Sequence, residues 1–120
     1  MIRITKAILT IAVISMLAPV ALACDYPDRI SIPKGKSATK EEMVAGQRGV
    51  KKFMAEMEIY LACIEEEDEQ NRAGIAKPDP IVEAQRDEML VKKHNAAVDD
   101  MEKVAASFNE EVRTYKDQGD

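Results

Sequence analysis

The sequence predicts an all-α protein, an antiparallel two-helix hairpin that follows an extended, proline-containing N-terminal arm. Two long stretches carry apolar residues at spacings of three and four, the period of an amphipathic helix, and a short segment containing glycine and proline separates them. The arm contains Pro27 and Pro33, which exclude helix. We therefore divide the chain into a signal peptide (1–23), an arm (24–38) and a helical hairpin domain (39–120).

The signal peptide is predicted from its charge and hydropathy pattern. Arg3 and Lys6 form a basic start, residues 7–18 are uncharged and apolar, and the small residue Ala23 suits cleavage before Cys24. The apolar run is short for a membrane span, and no later stretch approaches the required length. The pattern predicts a periplasmic or secreted protein with no membrane span after cleavage.

A second interpretation of Cys24 stays open at this point. Residues 21–24 (ALAC) are similar to the lipobox, in which a cysteine just after the cleavage site receives a lipid. Leu22 lies one place later than the leucine of that pattern. The alternative to a free periplasmic protein is therefore a membrane-tethered lipoprotein that is lipidated at Cys24.

The charge of the mature chain argues against nucleic acid as a partner. Cleavage removes two of the 17 basic residues and none of the 22 acidic residues, which leaves a net charge of −7. Binding to nucleic acid or to an anionic membrane requires a basic surface. The 97 residues that remain are enough for one domain with a modest core.

The first helix is predicted over about residues 40–70. Thr39 and Glu42 form a capping-box pattern directly before the periodic apolar residues begin. Met54 and Leu61 widen the apolar stripe. The residues predicted to form the seam of this helix are Met43, Gly46, Val50, Phe53, Met57, Tyr60 and Ile64.

The second helix is predicted over about residues 80–116. Asp79 is the expected N-cap, and Pro80 suits the first helical position. Asp87 interrupts the apolar seam once. The residues that flank the seam are Leu90, Ala97 and Val104. The predicted seam residues are Ala84, Val91, His94, Val98, Met101, Ala105, Phe108, Val112 and Tyr115.

Two helices with a short connection form an antiparallel hairpin. Two ways of covering the groove of this hairpin stay open: the arm lies in it, or a second copy of the chain packs against it in a homodimeric four-helix bundle.

The two cysteines, Cys24 and Cys63, predict an intramolecular disulfide in an oxidising compartment. Cys63 lies about 36 Å along a helix that starts at Thr39, and the extended arm reaches roughly 46 Å, so the arm can run back to it. A lipidated Cys24 with a free Cys63, or an intermolecular bridge, are the alternatives.

His94, the only histidine, is a weak candidate for a metal ligand or a general base. No second histidine or cysteine lies at ligand spacing, and His94 falls on the apolar seam, so a half-buried structural histidine is the favoured interpretation. Ser107 is 13 residues away and cannot meet it on the same helix. With no glycine-rich phosphate loop either, we predict no enzyme activity, metal or cofactor.

Five consecutive acidic residues near the end of the first helix are unusual, because they repel one another and oppose the helix dipole. The simpler interpretation is a solvated helix end. The more specific one is a docking site for a basic partner or for weakly bound divalent cations. The residues of this acidic run are Glu65, Glu66, Glu67, Asp68 and Glu69.

Several short motifs are spread over the mature chain: Cys24-x-x-Pro27, Ile32-Pro33-x-Gly35, Ala38-Thr39-x-Glu41-Glu42-Met43, Tyr60-Leu61-x-Cys63, His94-Asn95 and Phe108-Asn109-x-x-Val112-Arg113-x-Tyr115. In these motifs the chain resembles a group of small uncharacterised exported helical-hairpin proteins of Gram-negative bacteria. It departs from that pattern at His94, where tyrosine is expected. The resemblance supports the architecture and implies no activity.

Three functions agree with these observations. The first is a non-catalytic periplasmic interaction protein, an adaptor or a chaperone-like envelope component that binds an unidentified protein. The second is a metal-responsive periplasmic binding protein that uses His94 and nearby acidic residues. The third is an envelope lipoprotein lipidated at Cys24.

Overall fold

A computed structural model of the chain describes residues 23–119, which form two long helices and no strand. Helix α1 covers Lys40–Ala73 and helix α2 covers Pro80–Asp117. The helices pack against each other as an antiparallel hairpin, so the predicted all-α fold is confirmed. The cleavage signal predicted in residues 1–23 falls almost entirely outside the described residues and stays a prediction.

Both helices begin where their capping residues predict. The Thr39 hydroxyl accepts a hydrogen bond from the Glu42 backbone N–H at 3.2 Å, and the Glu42 carboxylate accepts one from the Thr39 backbone N–H at 2.7 Å. At α2 the Asp79 carboxylate accepts from the Ile81 backbone N–H at 2.8 Å. These bonds satisfy N–H groups that have no partner inside the helix, which fixes each starting residue.

The core lies on one stripe of α1 and a narrower stripe of α2. Met57 and Ala97 are fully buried, with an exposed fraction of 0% each. All the buried residues of α1 belong to its predicted seam. The buried apolar residues are Met43, Phe53, Met57, Tyr60 and Ile64 on α1, and Ala97 and Phe108 on α2.

The predicted seam of α2 is partly wrong. Val91 is 56% exposed, whereas Ala97 is buried and Leu90 and Val104, which were expected only to flank the seam, pack against the core. The prediction followed residues spaced seven apart, such as Val91 and Val98, but seven residues of a straight helix fall about 20° short of two full turns. Positions seven apart therefore drift off the buried face over a helix of 38 residues.

The arm lies extended in the groove on one side of the hairpin and bridges both helices. The Tyr26 ring packs edge-on against the Tyr60 ring, with ring centres 4.9 Å apart. Its hydroxyl donates a hydrogen bond to Asp100 on α2 at 2.6 Å. Farther along the arm Ile30 packs against the core, and Gly35 donates its N–H to a carboxylate oxygen of α2 at 2.7 Å. The arm thus runs antiparallel to α1 and covers one groove of the hairpin.

A disulfide between Cys24 and Cys63 fixes the start of the arm to α1, with the two Cα atoms 5.7 Å apart. The predicted intramolecular bridge is confirmed, and the intermolecular alternative is wrong. A lipid on Cys24 would need the sulfur that the disulfide occupies, so the lipoprotein alternative requires this bond to be absent and stays a prediction. Within residues 23–119, neither helix contains a stretch long and apolar enough to cross a membrane.

Candidate functional site

The groove that holds the arm continues past Cys24 towards the hairpin loop, and residues 23–119 leave this part of it unfilled. We call this part the loop-end groove. Its volume is about 270 Å³. Its lining residues are Ile64, Glu67, Asp68 and Asn71 on α1, and Val82, Gln85, Arg86, Met89, Leu90 and Lys93 on α2.

The apolar side chains of the loop-end groove are unusually accessible. Met89 is 54% exposed and Val82 is 42% exposed, and both line the groove beside the half-buried Leu90. Ile81, next to Val82 in the chain, is 70% exposed. Apolar side chains grouped in a concave surface are typical of a site that binds another molecule.

The two walls of the loop-end groove carry opposite charges. Glu67 and Asp68 lie on the α1 wall, and Arg86 and Lys93 lie on the α2 wall. A Glu67 carboxylate oxygen lies 3.3 Å from the Cys24 sulfur, a contact without a hydrogen bond because the sulfur is in a disulfide and has no proton. The groove therefore offers ionic partners on both sides of an apolar floor.

The acidic run does not form one surface. Consecutive helical residues are 100° apart, so five of them surround the helix. Glu67 and Asp68 line the loop-end groove, and the Glu66 carboxylate accepts a hydrogen bond from the Gln70 side chain at 3.1 Å. Glu65 and Glu69 are exposed. A docking site made of all five carboxylates lacks a common face, and the two groove residues are the candidates that the geometry retains.

A branched ion pair around Arg72 closes the hairpin at the loop. The Arg72 guanidinium donates to Asp68 at 2.7 Å, to Glu83 of α2 at 2.6 Å, and also to Asp87. Hydrogen bonds to Asp87 and Asp68 raise the pKa of Arg72 above its ordinary value. Asp87, which interrupts the predicted seam, thus has a partner on the other helix. The spacing of Asp68 and Arg72 by four residues was the one sequence signal for this cluster.

His94 is half-buried on α2. Between residues 23 and 119 no three side chains of His, Cys, Asp or Glu are grouped so that they could hold a metal ion. The metal-responsive hypothesis therefore has no ligand set around His94 in that part of the chain.

No protein-family model, curated protein or solved structure matches the chain. Its class is therefore defined by its own architecture. It is a helical hairpin whose extended arm is tied to the first helix by a disulfide, with an apolar groove open beyond the tie.

Proposed function

We propose that the mature chain is a non-catalytic periplasmic interaction protein, an adaptor or a chaperone-like envelope component, which binds an extended apolar segment of another protein. The loop-end groove is the proposed binding site. One observation carries the proposal: this groove, which the described residues leave open, continues the groove in which the arm itself lies as an extended chain.

The arm indicates how such a segment would be held. Ile30 places an apolar side chain against the core. The Gly35 backbone N–H donates a hydrogen bond to the Glu111 carboxylate, and the Gly35 carbonyl accepts one from the Gln118 side-chain amide, each at 2.7 Å. The loop-end groove has the same ingredients, an apolar floor with amide and charged side chains at its edges. An extended segment directs alternate side chains to one face, so a segment with every second residue apolar fits it.

The compartment is proposed from the disulfide and the charge pattern of residues 1–23. Disulfides persist in oxidising compartments such as the bacterial periplasm, and Cys24 and Cys63 are bonded to each other. An export signal would bring the chain there, and cleavage before Cys24 would leave the loop-end groove free of preceding residues.

A peptide-binding experiment tests the proposed site. Labelled peptides that alternate apolar and polar residues are titrated with the oxidised mature protein, and fluorescence anisotropy is measured. We expect saturable binding that Met89→Glu weakens at least tenfold. The matched control is Ile59→Glu, since Ile59 is 68% exposed and does not line the groove. Equal binding by both variants, or no binding by the parent protein, would refute the proposed site.

A second experiment separates the two forms of the proposal. A chaperone-like protein suppresses the light scattering of an unfolded client, and Met89→Glu should abolish the suppression while Ile59→Glu retains it. An adaptor leaves scattering unchanged and binds an extended segment of one particular partner through the same groove.

A further inference from the structure

The side of the hairpin opposite the arm carries an apolar surface that is only half-buried. Arm contacts fall on one flank of the helices, at Tyr60 on α1 and at Asp100 and Glu111 on α2. With 100° per residue, a second set of apolar positions falls on the other flank, and we call it the open face. Its half-buried residues are Val50, Met54, Leu61, Val98, Met101, Ala105 and Val112.

A line of charged residues borders the open face along α1 and changes sign halfway. Lys40, Lys51, Glu58 and Glu65 are exposed, and their spacings of 11, 7 and 7 residues keep them on one line of the helix. Lys51 is three residues from Met54, which places the line beside the open face. Within residues 23–119 none of these four side chains forms an ion pair. The first half of the line is basic and the second half is acidic.

We propose that the open face binds a second copy of this chain in antiparallel orientation, which gives a four-helix bundle. A two-fold axis perpendicular to the helices, placed between Lys51 and Glu58, brings Lys51 of each copy opposite Glu58 of the other. A two-fold axis parallel to the helices would instead stack α1 of each copy on α2 of the other, and no Lys51–Glu58 pair between the copies would form. The charge order along α1 therefore favours the antiparallel pairing.

The same axis passes through the apolar centre of the open face. Gly46 lies beside Phe108, and Ile64 lines the same groove as Leu90, so residues at the same height on the two helices can be matched. This matching sets Met54 and Met101 at one height, near the proposed axis. Methionines from both copies would then meet at the centre of the bundle, where flexible thioether side chains fill irregular gaps.

The size of the open face suits a specific dimer. The charged line from Lys40 to Glu65 spans roughly 37 Å, and two adjacent helices are about 20 Å wide. The footprint is then about 700 Å² for each copy, and about 1,400 Å² in total lies within the range of specific protein interfaces. This surface is separate from the loop-end groove, so dimerisation and segment binding can be tested independently.

Analytical ultracentrifugation of the oxidised mature protein tests the dimer. We expect a concentration-dependent dimer that Ala105→Glu, on the open face, weakens by at least a hundredfold. Ala106→Glu is the matched control, because Ala106 is exposed and lies one residue farther round the helix. A monomer at all concentrations, or equal effects of the two substitutions, would overturn the proposal. Far-UV circular dichroism of both variants establishes that they fold.

Charge reversal tests the antiparallel orientation. K51E alone and E58K alone should each weaken the dimer by about tenfold, since each breaks two exposed ion pairs. The double variant K51E/E58K should restore parent affinity, and a mixture of the two single variants should form mixed dimers tighter than either variant alone. A dimer that neither single substitution weakens would contradict the antiparallel arrangement.

Discussion

Gly35 is the residue at which the arm comes closest to α2. A Cβ atom at this position would overlap the main-chain oxygen of Glu111, so a larger residue must move the arm. We expect Gly35→Ala to lower the free energy of unfolding by about 2 kcal/mol, as overpacking against backbone does. Gly49 is the control, because a Cβ there meets nothing within 4 Å. In urea unfolding, Gly49→Ala should stabilise α1 by about 0.5–1 kcal/mol, and a similar gain for Gly35→Ala would contradict the close contact.

Tyr26 joins the arm to α2 through its hydroxyl. Burial and the hydrogen bond to Asp100 raise the pKa of Tyr26 from 10.0 to about 12. Because the folded state holds this proton more tightly, its contribution to stability is fully present below pH 10 and is lost as the pH rises to about 12. Because Tyr26 is 41% exposed, we expect Tyr26→Phe to lower the free energy of unfolding by only about 1 kcal/mol at neutral pH.

The measurement is urea unfolding of Tyr26→Phe, Asp100→Asn and the double variant between pH 7 and pH 12. The Tyr26→Phe difference should shrink above pH 10, and in the double variant the two losses should not add. Additive losses would mean that the hydroxyl and the carboxylate do not act as a pair.

Glu111 holds the other end of the arm. Its hydrogen bonds from the Gly35 backbone N–H and from Lys34 lower the pKa of this carboxyl below 4.5. The contribution of Glu111 to stability is therefore present above pH 4.5 and is lost as the pH falls through the lowered folded-state pKa. We expect the protection of the Gly35 amide, measured relative to its intrinsic exchange rate, to fall in acid and in Glu111→Gln at neutral pH. Glu110→Gln is the control, since Glu110 pairs with Arg113 on the same helix. Equal Gly35 exchange rates in the two variants would contradict this role.

At the level of elements, the disulfide is the main restraint on the arm. It closes a segment of 39 residues, which in the chain-entropy model stabilises the fold by about 4 kcal/mol. We expect reduction, or the double substitution Cys24→Ser and Cys63→Ser, to lower the free energy of unfolding by about 4 kcal/mol. Cleavage by trypsin after Arg29 in the arm should become faster, while α1 and α2 keep their helical circular dichroism. Unchanged cleavage after reduction would show that noncovalent contacts alone hold the arm.

The elements that local chemistry determines could be predicted from the sequence. The capping box at Thr39 and the N-cap Asp79 require only neighbouring residues, and both helices begin as expected. The buried face of α2 could not be predicted correctly from the sequence. Ala97 is buried because α1 packs against α2 at this position, and its small apolar side chain alone does not indicate that. Arg72 and Asp87 are 15 residues apart, so their pairing depends on the hairpin itself.

The candidate site was predictable only in part. The disulfide followed from two cysteines and the reach of the arm, and the acidic run lies at the end of α1 that lines the loop-end groove. The loop-end groove could not be predicted, since it depends on how the arm and both helices pack around Cys24. Its apolar residues come from both helices, and no spacing within one helix reveals them.

At the level of the whole molecule, the hairpin has one covered side and two accessible apolar surfaces. The arm fills most of one groove, the loop-end groove extends it, and the open face lies on the other side of the helices. The central claim is that an exported chain begins at Cys24 and is tied there to Cys63. Both the free loop-end groove and the fixed arm depend on it.

The most direct test is the intact mass of the protein isolated from the cell envelope, with and without reduction and thiol alkylation. We expect a chain that begins at Cys24, is lighter than the dithiol form by two hydrogens, and is alkylated at both cysteines only after reduction. A chain that retains residues 1–23, or a lipid on Cys24 with Cys63 free to alkylate, would contradict the central claim.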